Sequence, residues 1–89
     1  MKISNKKKDK IQEQILAYLF SISPKPVFTS NIAQEIARDE EFVKKLLFDL
    51  NKKNLIKEIK QNPQGKKYIK RSRWKLKDKT YLFYKSKQN

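Results

Sequence analysis

The chain has 89 residues, 23 of them Lys or Arg and 9 Asp or Glu, with no His and no Cys, for a formal charge of +14. That length supports one core rather than two, and the missing thiols and imidazoles exclude disulfides, thiolate metal sites and imidazole bases. A hydrophobic fraction of 37% still suffices for a small globular core, so the charge does not mean wholesale disorder.

Residues 1–8 read as a basic arm, Met1-Lys2-Ile3-Ser4-Asn5-Lys6-Lys7-Lys8. They look like the start of a signal peptide, but Ile11-Gln12-Glu13-Gln14-Ile15 is too polar for its apolar region, and an intracellular protein is expected. No apolar run approaches the roughly 18–20 residues that span a bilayer. From about residue 9 to 22, Ile11, Ile15, Leu16, Leu19 and Ile22 recur at spacings of three and four, the stripe of an amphipathic helix. Pro24 and Pro26 end it, and Val27-Phe28-Thr29 is a short extended piece.

Thr29 or Ser30 is the expected cap of a second helix over about 30–38, with Ile32, Ala33, Ile36 and Ala37 inward. After a break at Arg38-Asp39-Glu40, a third helix is predicted over about 40–53. Asp39 is its N-cap, Glu40 and Glu41 suit its positive start, and Val43, Leu46, Leu47 and Leu50 form its core stripe. Asn54 stands where a left-handed cap would end it. The period then changes to that of strands. Residues 55–61 form one, Asn62-Pro63-Gln64-Gly65 makes a turn, and residues 66–77 alternate. Tyr68, Lys70, Ser72, Trp74 and Leu76 share one face of that strand, and Ile69, Arg71, Arg73, Lys75 and Lys77 the other. Thr80-Tyr81-Leu82-Phe83-Tyr84 is open between a short helix capped by Asp78 and more strand.

The order helix, short strand, helix, tight turn, helix, hairpin resembles a winged helix-turn-helix domain. The residues that carry the likeness span 11–76, above all Val43-Lys44-Lys45-Leu46-Leu47-Phe48-Asp49-Leu50 and the later Arg73-Trp74-Lys75-Leu76. The resemblance implies an α+β fold of three helices and a β-hairpin wing over 9–78, with a C-terminal extension over 79–89. It also implies double-stranded DNA as the partner, with the third helix in the major groove and the wing on the backbone or minor groove. The segment from 43 to 55 with Arg73-Trp74 is also similar to Z-DNA-binding winged helices, although those have Asn and Tyr where this chain has Lys44 and Phe48.

The placement of charge fits the DNA reading, because self-repulsion of this size usually answers to a polyanion. Residues 1–10 carry a net +4, residues 11–56 are neutral and residues 57–89 carry +10. Opposite the core stripe of the third helix lie Glu41, Lys45, Phe48 and Lys52, with Lys44 at one shoulder. The hairpin crowds Lys66, Lys67, Lys70, Arg71, Arg73, Lys75 and Lys77 into twelve residues, beyond what protecting a strand edge needs. The candidate contact residues are therefore Ser30, Lys44, Lys45, Phe48, Lys52, Lys66, Lys67, Lys70, Arg71, Arg73 and Lys75. Phe48 suits a thymine methyl or a sugar, and equally suits packing against the hairpin or a partner chain.

With 20 Lys against 3 Arg, sequence discrimination is expected to be loose, since bidentate reading of guanine favours Arg. The expected role is a transcriptional regulator or a DNA-architectural protein, in the cytoplasm with the nucleoid or in the nucleus. The alternatives are a protein-binding winged-helix adaptor and an RNA-binding, ribosome-associated protein. The latter rests on a likeness of residues 27–68 to a winged-helix protein of small ribosomal subunits. Tyr81, Phe83 and Tyr84 either cover the first helix or form a homodimer contact. No cofactor or metal is implied, nor a membrane partner. An enzyme is not expected, because no isolated carboxylate pair exists and Gly65 is the single glycine, so no phosphate-cradling loop forms.

Overall fold

Ile11, Ile15, Leu16 and Leu19 are all buried, and the helix that aligns them, α1, runs Asn5–Ile22. The computed structural model describes residues 5–60 and 72–87. Helix α1 starts four residues before the periodicity predicts, so the arm expected over 1–8 is helical from Asn5. The reason is local: Lys6, Lys7 and Lys8 are exposed, straight-chain helix formers with no breaker between them and the apolar stripe.

After Pro26 the chain enters β1 (Val27–Phe28), then α2 (Thr29–Glu35) and α3 (Glu40–Lys52). Helix α2 corrects two expectations. Its N-cap is Phe28 with no side-chain bond, because the Thr29 hydroxyl accepts from Trp74 Nε1–H at 2.8 Å across the fold. It also ends at Glu35, short of residue 38, because Ala37 turns left-handed at φ 56°. The N–H of Arg38 then reaches the Ala33 carbonyl (3.0 Å) and that of Ala37 the Gln34 carbonyl (3.3 Å), a Schellman end. For an alanine that backbone costs about 1 kcal/mol. Helix α3 closes in the same way, with Asn54 at φ 62° and the Leu55 N–H on the Leu50 carbonyl at 3.1 Å. At its start Asp39 accepts from the Phe42 N–H at 3.1 Å, the cap expected there.

Strands β2 (Ile56–Ile59) and β3 (Arg73–Leu76) lie within the predicted 55–61 and 66–77, and of the described residues in those ranges Leu55, Lys60, Ser72 and Lys77 stand outside the ladder. Leu55 is occupied by the helix end, Lys77 is spent on the entry to the next helix, and residues 61–71, including the predicted turn, lie outside the described residues. The sheet is antiparallel in the order β1-β3-β2, with Val27 opposite Trp74 on one side of β3 and Glu58 opposite Trp74 on the other. Trp74 and Leu76 point inward to α1 and α3, joining Ile32, Val43, Leu46, Leu47, Leu50 and Ile56 in one core. The chain thus has a winged helix-turn-helix fold, with α2 and α3 as the helix pair and the β2–β3 hairpin as the base of the wing.

Residues 78–86 settle as a helix, α4 (Asp78–Ser86). Its cap position is Lys77 and not Asp78, since the Tyr81 N–H bonds the Lys77 carbonyl at 3.0 Å and Asp78 already sits in the first turn. Among the described residues no helix is long and apolar enough to cross a membrane.

Candidate nucleic-acid interface

Helix α3 divides into faces. Val43, Leu46, Leu47 and Leu50 are sunk in the core, while Glu41, Lys45, Phe48 and Lys52 lie opposite and exposed. On one flank, Glu40, Lys44 and Phe48 follow at i, i+4, i+8 along the side that meets β3. On the other flank Asp49 turns to α1, where Gln12 Nε2–H donates to its Oδ2 at 2.9 Å and Lys53 lies at 3.3 Å. The Gln12 amide first, then Lys53, hold the Asp49 carboxyl below its usual range. Gln12 is only 6% exposed, so a buried polar side chain of α1 ties directly to the exposed helix.

The β3 flank encloses a cleft of about 90 Å³ lined by Phe28, Thr29, Ser30, Glu40, Lys44, Phe48, Ser72 and Trp74. Three of the sequence-predicted contact residues, Ser30, Lys44 and Phe48, meet there. Phe48 is 41% exposed, and its ring stands edge-on to Trp74 with centroids 5.7 Å apart at 76°. Phe48 therefore leans on the hairpin, as one of its two readings expects, and still faces out. The Ser72 hydroxyl is hydrogen-bonded to Glu58 on the neighbouring strand, which also receives Lys60 at 3.9 Å.

The strand alternation puts Arg73 and Lys75 on the other face of the sheet. Lys75 stands directly across from Lys57 and borders a second concavity with Ser23, Pro24, Asp78 and Tyr81. Like charges facing each other across a ladder are destabilising, and neither lysine meets a carboxylate among the described residues. Lys77, part of the basic hairpin count, turns away and donates to Asn54 Oδ1 at 2.9 Å. Lys66, Lys67, Lys70 and Arg71 lie outside the described residues. The structure therefore brings Ser30, Lys44 and Phe48 together, leaves Lys45 and Lys52 on the adjoining outer ridge, and separates Lys75 from all of them.

Helix α4 splits the aromatic cluster in the same fashion. Tyr81 and Tyr84 pack on Phe20 of α1, with ring centroids 5.3 and 5.8 Å away. Burial first, and then the charge of Glu13, raise the Tyr84 hydroxyl above its usual value. Leu82 and Phe83 instead face out at 61% and 55% exposure. Sequence reasoning gave no place to Gln12 or the Thr29–Trp74 bond, and placed Glu40 only at the start of α3. Glu40 had a readable signal, standing one turn before Lys44. Gln12 and Thr29 act through partners 37 and 45 residues away, which no local pattern encodes. Among the described residues no group of three or more Asp, Glu, His or Cys side chains is placed to hold a metal ion.

No protein-family model and no curated protein matches the chain. Solved structures do. A complex of S. aureus MepR with DNA superposes with a TM-score of 0.72 at 22% identity, covering 91% of this chain and 64% of that one. The PcaV transcriptional regulator of Streptomyces coelicolor, bound to its natural ligand, gives 0.65 at 16% identity over 83% of this chain and 48% of that one. Lactococcus lactis ZitR gives 0.62 at 19% identity over 82% and 47%. The chain thus spans roughly half to two-thirds of the length of these structures, and the likeness is one of fold.

Proposed function

We propose that the chain binds double-stranded DNA as a transcriptional regulator or architectural protein of weak sequence specificity. Helix α3 enters the major groove and the β2–β3 hairpin follows the backbone or the minor groove. One observation carries this reading: Lys44, Lys45 and Lys52 stand exposed on the same side of a helix whose opposite side is wholly buried, beside the base of a strongly basic hairpin. A lysine ridge on a rigid helix is what phosphate tracking needs. The solved complex of MepR with DNA on the same fold supports the reading. On this reading the protein works where the chromosome is, in the cytoplasm or the nucleus.

The test is competition. Retention of a labelled duplex at low salt is expected to fall with unlabelled duplex and to resist the same mass of single-stranded RNA. Displacement by RNA at lower concentrations than by duplex would favour a ribosome-associated role instead.

The exposed Leu82 and Phe83 support a second contact, a homodimer through α4. Tyr81 and Tyr84 serve α1, so Phe83 and Leu82 are the pair that meets the other copy. Sedimentation is expected to give twice the chain mass for the wild type and the single mass for Leu82→Ser with Phe83→Ser. A wild type that sediments as a monomer at high concentration removes this contact.

A further inference from the structure

A large aromatic ring in the middle of a lysine ridge is out of keeping with phosphate tracking alone. Lysine and serine suffice for phosphate, and a phenyl ring brings no donor to an anion. Phe48 is also not loosely exposed. Its edge contact to Trp74 is backed by an indole that is 1% exposed and anchored to Thr29 at 2.8 Å, so the ring is held by two successive fixed contacts. A ring already fixed loses little freedom on meeting a ligand.

The neighbours of the ring define what that ligand is. Glu40 lies in the same cleft as Lys44, and its carboxylate disfavours a phosphate lodged there. An uncharged group with an apolar surface and one acceptor suits the place better. Lys44, one helical turn before Phe48, supplies a donor, and Ser30 supplies a hydroxyl. In the major groove the edge of thymine has this make-up, a 5-methyl group beside the O4 acceptor. Guanine offers two acceptors and no methyl, and cytosine an amino donor.

We propose that Phe48 is a specificity-determining residue that packs on the 5-methyl group of thymine, with Lys44 donating to O4 of the same base. This rests on the duplex-binding reading above and adds a base preference to it. Burying one methyl is worth about a fourfold change in affinity, which fits a protein that tracks phosphate broadly and discriminates weakly.

The experiment compares one A·T-rich duplex with its copy in which every thymidine is replaced by deoxyuridine, a change that removes only the methyl groups. The wild type is expected to bind the thymidine duplex about fourfold more tightly. Phe48→Ser is expected to bind both copies equally, near the wild-type affinity for the deoxyuridine copy, while melting as a folded protein. Equal binding of both copies by the wild type overturns the proposal and leaves duplex binding standing. So does a Phe48→Ser protein that loses affinity for both copies alike, which places the ring on a sugar. Absence of binding to either duplex at low salt overturns the DNA reading and this proposal with it.

Discussion

Raising the salt from about 50 to about 200 mM is expected to weaken duplex binding about 10³–10⁴-fold. The expectation follows from the proposed function and from the number of cations on α3 and the hairpin. If six to eight of the lysines and arginines of α3 and the hairpin each neutralise a phosphate, counterion release gives a log-log slope of about −5 to −7. Nothing in a base-reading interface with few contacts produces so steep a response. Filter binding or anisotropy at four salt concentrations measures it. The ridge of α3 makes a finer point: Lys45→Ala with Lys52→Ala is expected to flatten the slope by about 2, roughly one per lost phosphate contact. A slope near zero for the wild type would overturn phosphate tracking altogether, and an unchanged slope in the double variant would remove α3 from the phosphate-bearing surface.

The second large effect concerns the fold. Trp74→Ala is expected to destabilise the protein by about 3–5 kcal/mol, a large share of the roughly 5–15 kcal/mol that holds a domain of this kind together. Among the described residues Trp74 is the largest fully buried side chain; it lies in the central strand between β1 and β2 and touches both Phe48 and Thr29. Truncation removes the ring from the core and leaves the Thr29 hydroxyl without its donor. Trp74→Phe restores most of the volume and is expected to recover all but about 1–2 kcal/mol, the share of the lost hydrogen bond and the smaller ring. Denaturant unfolding followed by far-ultraviolet circular dichroism gives both numbers. A Trp74→Ala protein as stable as the wild type would mean that β3 does not organise the core.

Much of this architecture is legible because it is local. Asp39 before Glu40 and Glu41, the stripe from Val43 to Leu50 and the left-handed Asn54 mark α3 within sixteen residues, and all three signals match the structure. The end of α2 is not legible, since Ala37 adopts a left-handed backbone that alanine never advertises. Thr29 reads as a cap by chemistry and is diverted by Trp74, a competitor for its hydroxyl that only the folded sheet supplies. The alternation of β3 correctly separates Trp74 and Leu76 from Arg73 and Lys75. Alternation alone, however, cannot say which face looks towards α3, so Lys75 reads as a neighbour of Lys44 when the sheet stands between them. Tyr81 and Tyr84 are likewise indistinguishable from Phe83 in sequence, and only the position of Phe20 sorts them.

The placement of β3 between β1 and β2 has a consequence for how the molecule comes into being. The central strand is the last of the three to leave the ribosome, and until Arg73–Leu76 emerges neither Val27 nor Ile56 has a neighbour to zip onto. Closure therefore waits on a contact distant in sequence, the slow kind of step in folding. The same strand carries the tryptophan that steadies Phe48, so the exposed face of α3 takes its final form only once this strand has docked.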